Sequence, residues 1–216
     1  MLTPSTRAPR PLPAAVLSQL PLLRPSTRLL ILQHPSETGH ALNTARLVQA
    51  GVAHTRLLIG EVFSPDQWRL PGYRNLLLFP EMHTQAEDTH HACAEPEDAP
   101  LQLIVPDGTW RKARKLLHQN PALAALPRLA LHPAGPSNYR LRKEPSAGSL
   151  ATVEAVVLAL NQLEAPARFD ALLKSFETLV DLQIAAMPPG IYAQHYGRTG
   201  RARRREDTAA QQTEIN

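Results

Sequence analysis

An aspartate, a glycine, a threonine and a tryptophan stand in a row at Asp107-Gly108-Thr109-Trp110, directly after the apolar run Leu101–Val105 and Pro106. A carboxylate at such a place can accept a proton, hold a base by hydrogen bonds, or attract a cationic group. Gly108 permits a tight turn or the close approach of a ligand to the backbone. Trp110 offers an apolar wall with one N–H donor. The next residues carry charge. At about 100° per residue, Trp110, Ala113, Leu116 and Leu117 share one side of a helix, and Arg111, Lys112, Arg114, Lys115 and His118 share the other. No acidic side chain lies within this helix to form i,i+4 pairs. A cationic face beside a ligand-type turn suits a polyanion. The plainer reading makes Asp107 or Thr109 a helix cap, Trp110 a core residue, and the cationic face ordinary solvated surface.

Other candidate groups are weaker. His34 and Glu37 follow the first apolar run; they could line a pocket or belong to a turn with Ser36 as a helix cap. His83, His90, His91 and Cys93 sit in a polar, acidic stretch, and their spacing matches no compact zinc pattern, so no metal is expected. Cys93 is the single cysteine of the chain, which excludes an internal disulfide and a thiolate cluster and points to a reducing cytoplasm. The net charge of +4 is modest, and placement matters more than the total. Basic residues gather at 111–115, 140–143 and 198–205, whereas acidic residues gather at 81–98. No apolar run has the length to span a bilayer, and Pro4, Pro9, Pro11 and Pro13 interrupt any signal-peptide pattern.

Such side chains need a scaffold. Short apolar runs at Arg28–Gln33, Thr55–Ile59, Asn75–Phe79, Leu101–Val105 and Arg128–His132 read as strands buried on both faces. Helical patterns lie at His40–Ala50, where Gly51 acts as a stop, and at Trp110–His118, Ala151–Leu163 and Phe169–Met187. The alternation predicts an α/β fold with a mostly parallel sheet flanked by helices. Asp107 then falls just past the carboxyl end of a buried strand, where open α/β sheets bind ligands. Residues 1–26, rich in Pro, Ser, Thr and Arg, read as an extended or loosely packed arm with one helical turn near Ala14–Leu20. Residues 27–190 form the folded domain, 81–100 a long surface loop, and 191–216 a basic flexible tail.

Several blocks in order resemble the DTW-domain family, which includes tRNA-uridine aminocarboxypropyltransferases and a related ribosomal RNA enzyme. They are Ile31-Leu32-Gln33-His34-Pro35-Ser36-Glu37 with Asn43-Thr44-Ala45-Arg46, then Leu77-Leu78-Phe79-Pro80, then Leu103 through Lys115 continuing to Asn120-Pro121 and Leu126-Pro127. Tyr139-Arg140-Leu141-Arg142 and Leu150-Ala151-Thr152-Val153-Glu154-Ala155 complete the series. The resemblance implies a knotted, SPOUT-like α/β fold and a bent S-adenosylmethionine. It implies transfer of the 3-amino-3-carboxypropyl group to N3 of a uridine, with tRNA favoured as the RNA and methylthioadenosine released. There are departures. Family members commonly begin with a cysteine-rich segment resembling a zinc site, and residues 1–26 hold no cysteine, so no structural zinc is expected. Pro106 stands where a larger aliphatic residue is usual, and Ala151 where a small polar one is common.

The implied roles follow residue by residue. Asp107 is the catalytic candidate, as base or as orienter of the uracil; it could instead attract the sulfonium or amino group of the donor. Trp110 walls the cofactor pocket together with Pro106. Phe79, Pro80, Leu129 and Leu131 supply groups to adenine and ribose, and Ser149 and Thr152, ahead of a helix, suit a carboxylate; Thr152 reads equally well as a plain N-cap. Arg111, Lys112, Arg114, Lys115, Arg140, Arg142 and Lys143 would meet RNA phosphates. Arg198, Arg201, Arg203, Arg204 and Arg205 would add non-specific affinity, or form a solvated tail. Two alternatives stay open: a methyltransferase of the same knotted class, separable by product mass, and a non-catalytic RNA-binding protein, separable by cofactor binding. Oligomeric state is open.

Overall fold

The computed structural model describes residues 11–80, 96, 98–133, 137, 139–141, 150–193 and 196. Five strands, β1 (Arg28–Gln33), β2 (Thr55–Ile59), β3 (Arg74–Leu78), β4 (Leu101–Asp107) and β5 (Arg128–Leu129), form one sheet in the order β2-β1-β4-β3-β5. Every pairing is parallel. The helices are α1 (Ala14–Leu17), α2 (Thr44–Gly51), α3 (Pro65–Trp68), α4 (Trp110–Gln119), α5 (Pro121–Ala124), α6 (Thr152–Leu163) and α7 (Ala171–Ala185).

The continuous apolar runs work because alternate side chains enter different cores. Leu29 and Ile31 of β1 and Leu103 and Val105 of β4 face α2, α6 and α7. Leu30 and Leu32 of β1, Leu77 of β3 and Ile104 of β4 face α4, α5 and Trp68 of α3. The expected α/β class is therefore observed, with helices on both faces of an all-parallel sheet.

Boundaries differ from expectation for local reasons. β4 runs through Pro106 to Asp107, in register with Leu32 and Gln33 of β1. Asp107 is thus the last strand residue, not the residue past it. Its carbonyl accepts from His34 N–H at 3.0 Å. Adjacent residues of a strand direct their backbone groups to opposite neighbours, so the proline nitrogen, which has no hydrogen to give, faces the β3 side. There the β3–β4 pairing has already ended at Ile104. β5 is only two residues long, and Leu131 has left the sheet. α2 starts at Thr44, because the Asn43 side chain caps it by accepting from Arg46 N–H. The one-turn helices α3 and α5, which periodicity does not reveal, begin at Ser64-Pro65 and Asn120-Pro121, with proline in the first turn.

The arm is not loose over residues 11–26. Val16 is buried, Leu12, Leu20 and Leu23 pack on the core, and Leu23 bridges to Val52. Gln19 donates to Thr178 of α7 at 2.6 Å, and the Ser26 and Thr27 N–H groups donate to the Glu164 carboxylate. Gly51, the last residue of α2, lets these parts meet. A Cβ there would lie 2.6 Å from Leu172 Cδ1 and 3.2 Å from the Pro21 carbonyl oxygen. Gly51→Ala is expected to destabilise the fold by about 1–3 kcal/mol despite the better helix propensity of alanine, because the junction is overpacked. A melting curve showing equal or greater stability would contradict this.

No helix among the described residues is long and apolar enough to cross a membrane.

Candidate functional site

The helices that follow the adjacent strands β1 and β4 leave on opposite faces. Ala45, Leu47 and Val48 of α2 join one core, and Ala113, Leu116 and Leu117 of α4 join the other. A crevice necessarily opens at the carboxyl ends of two strands that part in this way. Gln33 and Asp107 are partners in register there.

Both residues are polar and buried, Asp107 at 8% exposure and Gln33 at 1%. A buried carboxylate requires donors. Gln33 Nε2 donates to Asp107 Oδ2 at 2.8 Å, and the Thr152 hydroxyl donates to Oδ1 at 2.5 Å. Gln33 is itself fixed: its Nε2 also donates to Asn43 Oδ1 at 3.0 Å, and its Oε1 accepts from Asn43 Nδ2 at 3.3 Å. Asn43 in turn caps α2. One polar chain therefore links two helix starts to the aspartate.

This arrangement decides between the open readings of the turn. Asp107 does not cap α4; Thr109 does, its hydroxyl oxygen accepting from Lys112 N–H at 3.4 Å. Thr152 is not the cap of α6 either. Ala151 holds the capping position, where its N–H donates to Glu154 at 2.7 Å. The Thr152 hydroxyl is thereby left to serve Asp107. The absence of a hydroxyl at position 151 keeps half of a capping box, since the Glu154 side chain still reaches back.

Two clefts flank the turn. The first lies over β3, β4 and β5 and opens to solvent. Phe79, Pro80, Pro106, Trp110, Leu129, Leu131 and Thr152, the candidates for the cofactor that are described other than Asp107, line it. Sequence reasoning missed Leu78, Val105, Pro133, Leu150 and Ala155 in the same wall. The Phe79 and Trp110 rings meet edge to face at 5.4 Å. Arg128 lies over Phe79 and donates to the Pro80 carbonyl at 2.9 Å, which stiffens the rim. An apolar slot with aromatic walls and backbone polar groups at its edge fits a flat heteroaromatic ring.

The second cleft is the crevice between β1 and β4, and its lining includes Glu37, His40, Asn43, Thr44, Asp107 and Thr109. Gly108 and Thr152 border both clefts, whereas Asp107 borders only the second. Asp107 was expected among the groups around the cofactor; the structure places it on the polar side of the shared wall. Gln33, Asn43 and Thr44 stand in the family-like blocks but carried no site role there; the structure puts Gln33 on Asp107 and Asn43 and Thr44 in the crevice lining. The available signal was a glutamine closing a run of buried aliphatics.

The cationic face of α4 is partly spoken for. Lys112 pairs with Glu37 at 2.6 Å and Lys115 with Glu61 at 2.7 Å. The Glu61 carboxyl sits below its ordinary range, chiefly because Lys115 donates to it, with the charges of Lys115 and His34 adding to this against the cost of burial. That pairing is present at neutral pH and is lost as pH falls through the lowered value. His34 faces Glu61 through Nε2 at 3.0 Å, and its Nδ1 accepts from Ser36 N–H, so it does not line either cleft. Arg140 pairs with Asp181. Arg111 and Arg114 are exposed and form no ion pair with a described residue. Ser149, Arg142, Lys143, the histidines 83, 90 and 91, Cys93 and the arginines from 198 onward lie outside the described residues. Among the described residues no group of three or more His, Cys, Asp or Glu side chains could hold a metal ion.

Comparison with known proteins gives the family. The DTW domain model matches residues 9–184. The chain is 29% identical over 174 residues to tRNA-uridine aminocarboxypropyltransferase 2 of Drosophila melanogaster, spanning 74% of this chain and 65% of that protein. It is 28% identical over 190 residues to the protein of the same name from Mus musculus, spanning 82% and 62%. It is 28% identical over 173 residues to tRNA-uridine aminocarboxypropyltransferase A of Arabidopsis thaliana, spanning 66% and 65%. The chain thus spans a little under two thirds of the length of these curated relatives. No solved structure matches it significantly. With the family model covering most of the chain, and the Asp107–Trp110 turn between two clefts at its centre, the chain belongs to the DTW-domain family.

Proposed function

We propose that this protein transfers the 3-amino-3-carboxypropyl group of S-adenosylmethionine to N3 of a uridine in tRNA and releases methylthioadenosine. The observation that carries this reading is the Asp107 carboxylate, held by Gln33 and Thr152 at the wall between an apolar and a polar cleft. The names of the curated relatives point the same way.

The first cleft takes the adenosine part of the donor, with Phe79 and Trp110 as aromatic walls and Leu129 and Leu131 beside them. When bound, the donor supplies a carbon made electrophilic by a positively charged sulfur. The residues of the chain aim that carbon and prepare its acceptor. Orientation matters here because a sulfonium carries three such carbons, and the one aimed at the nucleophile reacts. As the N3–C bond forms, the C–S bond breaks with its electron pair going to sulfur, and the N3 proton passes to Asp107. Thr152 and Gln33 hold both carboxylate oxygens, so the acceptor geometry exists before the base arrives.

Arg111 and Arg114 meet RNA phosphates in this reading, with Arg142 and Lys143 as further contacts. Lys112, Lys115 and Arg140 act chiefly as struts to Glu37, Glu61 and Asp181. Reversing the charge of Arg111 and Arg114 together is expected to weaken tRNA binding and to flatten its salt dependence by roughly one to two phosphate contacts. Filter binding across a salt series measures both. Unchanged affinity and slope would remove α4 from the RNA surface. Ser149, the SPOUT-like knot, a catalytic domain near 27–190 onto which residues 11–26 pack, and a cytoplasmic location belong to the same proposal.

The test is incubation with tRNA and S-adenosylmethionine followed by nucleoside mass spectrometry. Aminocarboxypropyl-uridine is the expected product. Methyl-uridine would make the protein a methyltransferase, and no modified nucleoside with any RNA offered would overturn transfer altogether.

A further inference from the structure

The first cleft accounts for a flat ring and its ribose, but it does not contain the Asp107 side chain. That carboxylate borders the crevice between β1 and β4. A hydroxyl stands beside it in the crevice. Thr44, at the start of α2, is buried to 6% exposure and lines the crevice, yet its hydroxyl makes no hydrogen bond to any described residue. The hydroxyl is not sealed in the core but opens on the crevice, where water or a ligand can satisfy it. The crevice thus presents a carboxylate, which accepts, and an uncommitted hydroxyl, which can donate. Its sides carry Leu42, Leu141 and Tyr139. The Tyr139 ring is braced edge to face on Phe176 at 5.6 Å.

A pyrimidine base needs these features: apolar flanks for its faces, an acceptor for a ring N–H and a donor for a neighbouring carbonyl oxygen. We propose that this crevice is the seat of the acceptor base, a uracil lifted from its RNA stack. Asp107 takes its N3–H, and the Thr44 hydroxyl, open to the crevice, donates to an adjoining carbonyl oxygen. The proposal rests on the transfer reading above and adds the acceptor site to it. It also assigns base selectivity. Cytosine carries a lone pair and no hydrogen at N3, so it would set an acceptor against the Asp107 carboxylate and leave a buried polar group unpaired. Sites built around a substrate hydrogen bond reject analogues lacking it far more strongly than apolar pockets reject a change of size. Among the described residues the crevice and the first cleft share Gly108 and Thr152, so donor and acceptor would meet at that shared wall.

The same space could instead receive the amino-acid tail of the donor, and the test separates the two. Thr44→Val keeps shape and removes the hydroxyl; Thr44→Ser restores a donor. For each variant, S-adenosylmethionine affinity is measured by calorimetry, and single-turnover transfer to tRNA at saturating donor and tRNA by nucleoside mass spectrometry. Thr44→Val is expected to slow transfer about 3- to 10-fold, the worth of one neutral hydrogen bond, with donor affinity unchanged and Thr44→Ser close to wild type. A loss of donor affinity matching the loss of rate would give the crevice to the donor tail and overturn the assignment. Wild-type transfer by Thr44→Val would overturn it as well. A second measurement guards against misfolding: wild-type protein is irradiated with tRNA containing 4-thiouridine in the presence of S-adenosylhomocysteine. Cross-links are expected on peptides carrying residues 40–44 or 139–141, and cross-links confined to α4 would count against the site. If the wild type forms no aminocarboxypropyl-uridine, the transfer reading itself fails, and that outcome is distinct from all of these.

Discussion

Asp107→Asn is expected to lower the single-turnover transfer rate by about 10²- to 10⁴-fold, the range associated with loss of a positioned acid–base group, while the protein remains folded. The fold should survive because the surroundings can satisfy an amide. The amide oxygen can accept from Gln33 Nε2, and the amide nitrogen can donate to the Thr152 hydroxyl, which reverses its role from donor to acceptor. What the amide cannot do is take a proton from N3. The substitution therefore separates shape from chemistry at a position buried between the two ends of strands. Donor affinity should change little, because Asp107 does not border the first cleft. Transfer within a few-fold of wild type, with melting unchanged, would show that Asp107 is neither base nor orienter. A large loss of donor affinity would assign it to the amino group or sulfonium of the donor.

Gln33→Glu is expected to have the second largest effect, and through a different observable. Gln33 touches no ligand in this reading; it positions Asp107, holding Oδ2 at 2.8 Å while Asn43 holds it in turn. Glutamate in its place sets two carboxyl groups at hydrogen-bond distance. Such a pair does not readily ionise twice, so it retains a proton to higher pH than a lone carboxylate does. The acid limb of the pH–rate profile should move upward, and transfer at neutral pH should fall by about 10-fold or more for each pH unit by which that limb passes the assay pH. Gln33→Leu removes the N–H altogether and strands the polar groups it served, which is expected to cost about 1–3 kcal/mol of stability. Its effect on rate should appear in kcat rather than in the KM for donor. A purely structural role for Gln33 would lower stability in both variants without moving the pH profile of the Glu form. An unmoved profile would therefore reduce Gln33 to packing.

The cationic helix shows how a correct pattern can mislead about availability. Arg111, Lys112, Arg114 and Lys115 do share the solvent side of α4, as helical spacing dictates. Within the helix they have no acidic neighbours, so the whole face reads as open to RNA. The neutralising acids come from elsewhere: Glu37 follows β1 and Glu61 follows β2. Pairing between residues that far apart in the chain leaves no local signature. The same reasoning explains the crevice. Thr44 and Asp107 are 63 positions apart in the chain, and they meet only because β1 and β4 are neighbours in the sheet.

From the sequence alone came the class of the fold, the burial of β1 and β4 on both faces and the amphipathic α4. These are local properties: runs of aliphatic residues, the helical period, and a turn whose aspartate follows a buried strand. The tertiary structure decided the rest. It showed that β4 reaches Asp107, that Thr109 and Ala151 hold the two helix caps, and that Thr152 and Gln33 are thereby turned on the aspartate. It also set the strand order that opens a second, polar cleft beside the first. The physical reason is one of range. Burial and periodicity are written into neighbouring residues, whereas a hydrogen-bonded carboxylate is defined by partners that only the packing of distant strands brings within 3 Å.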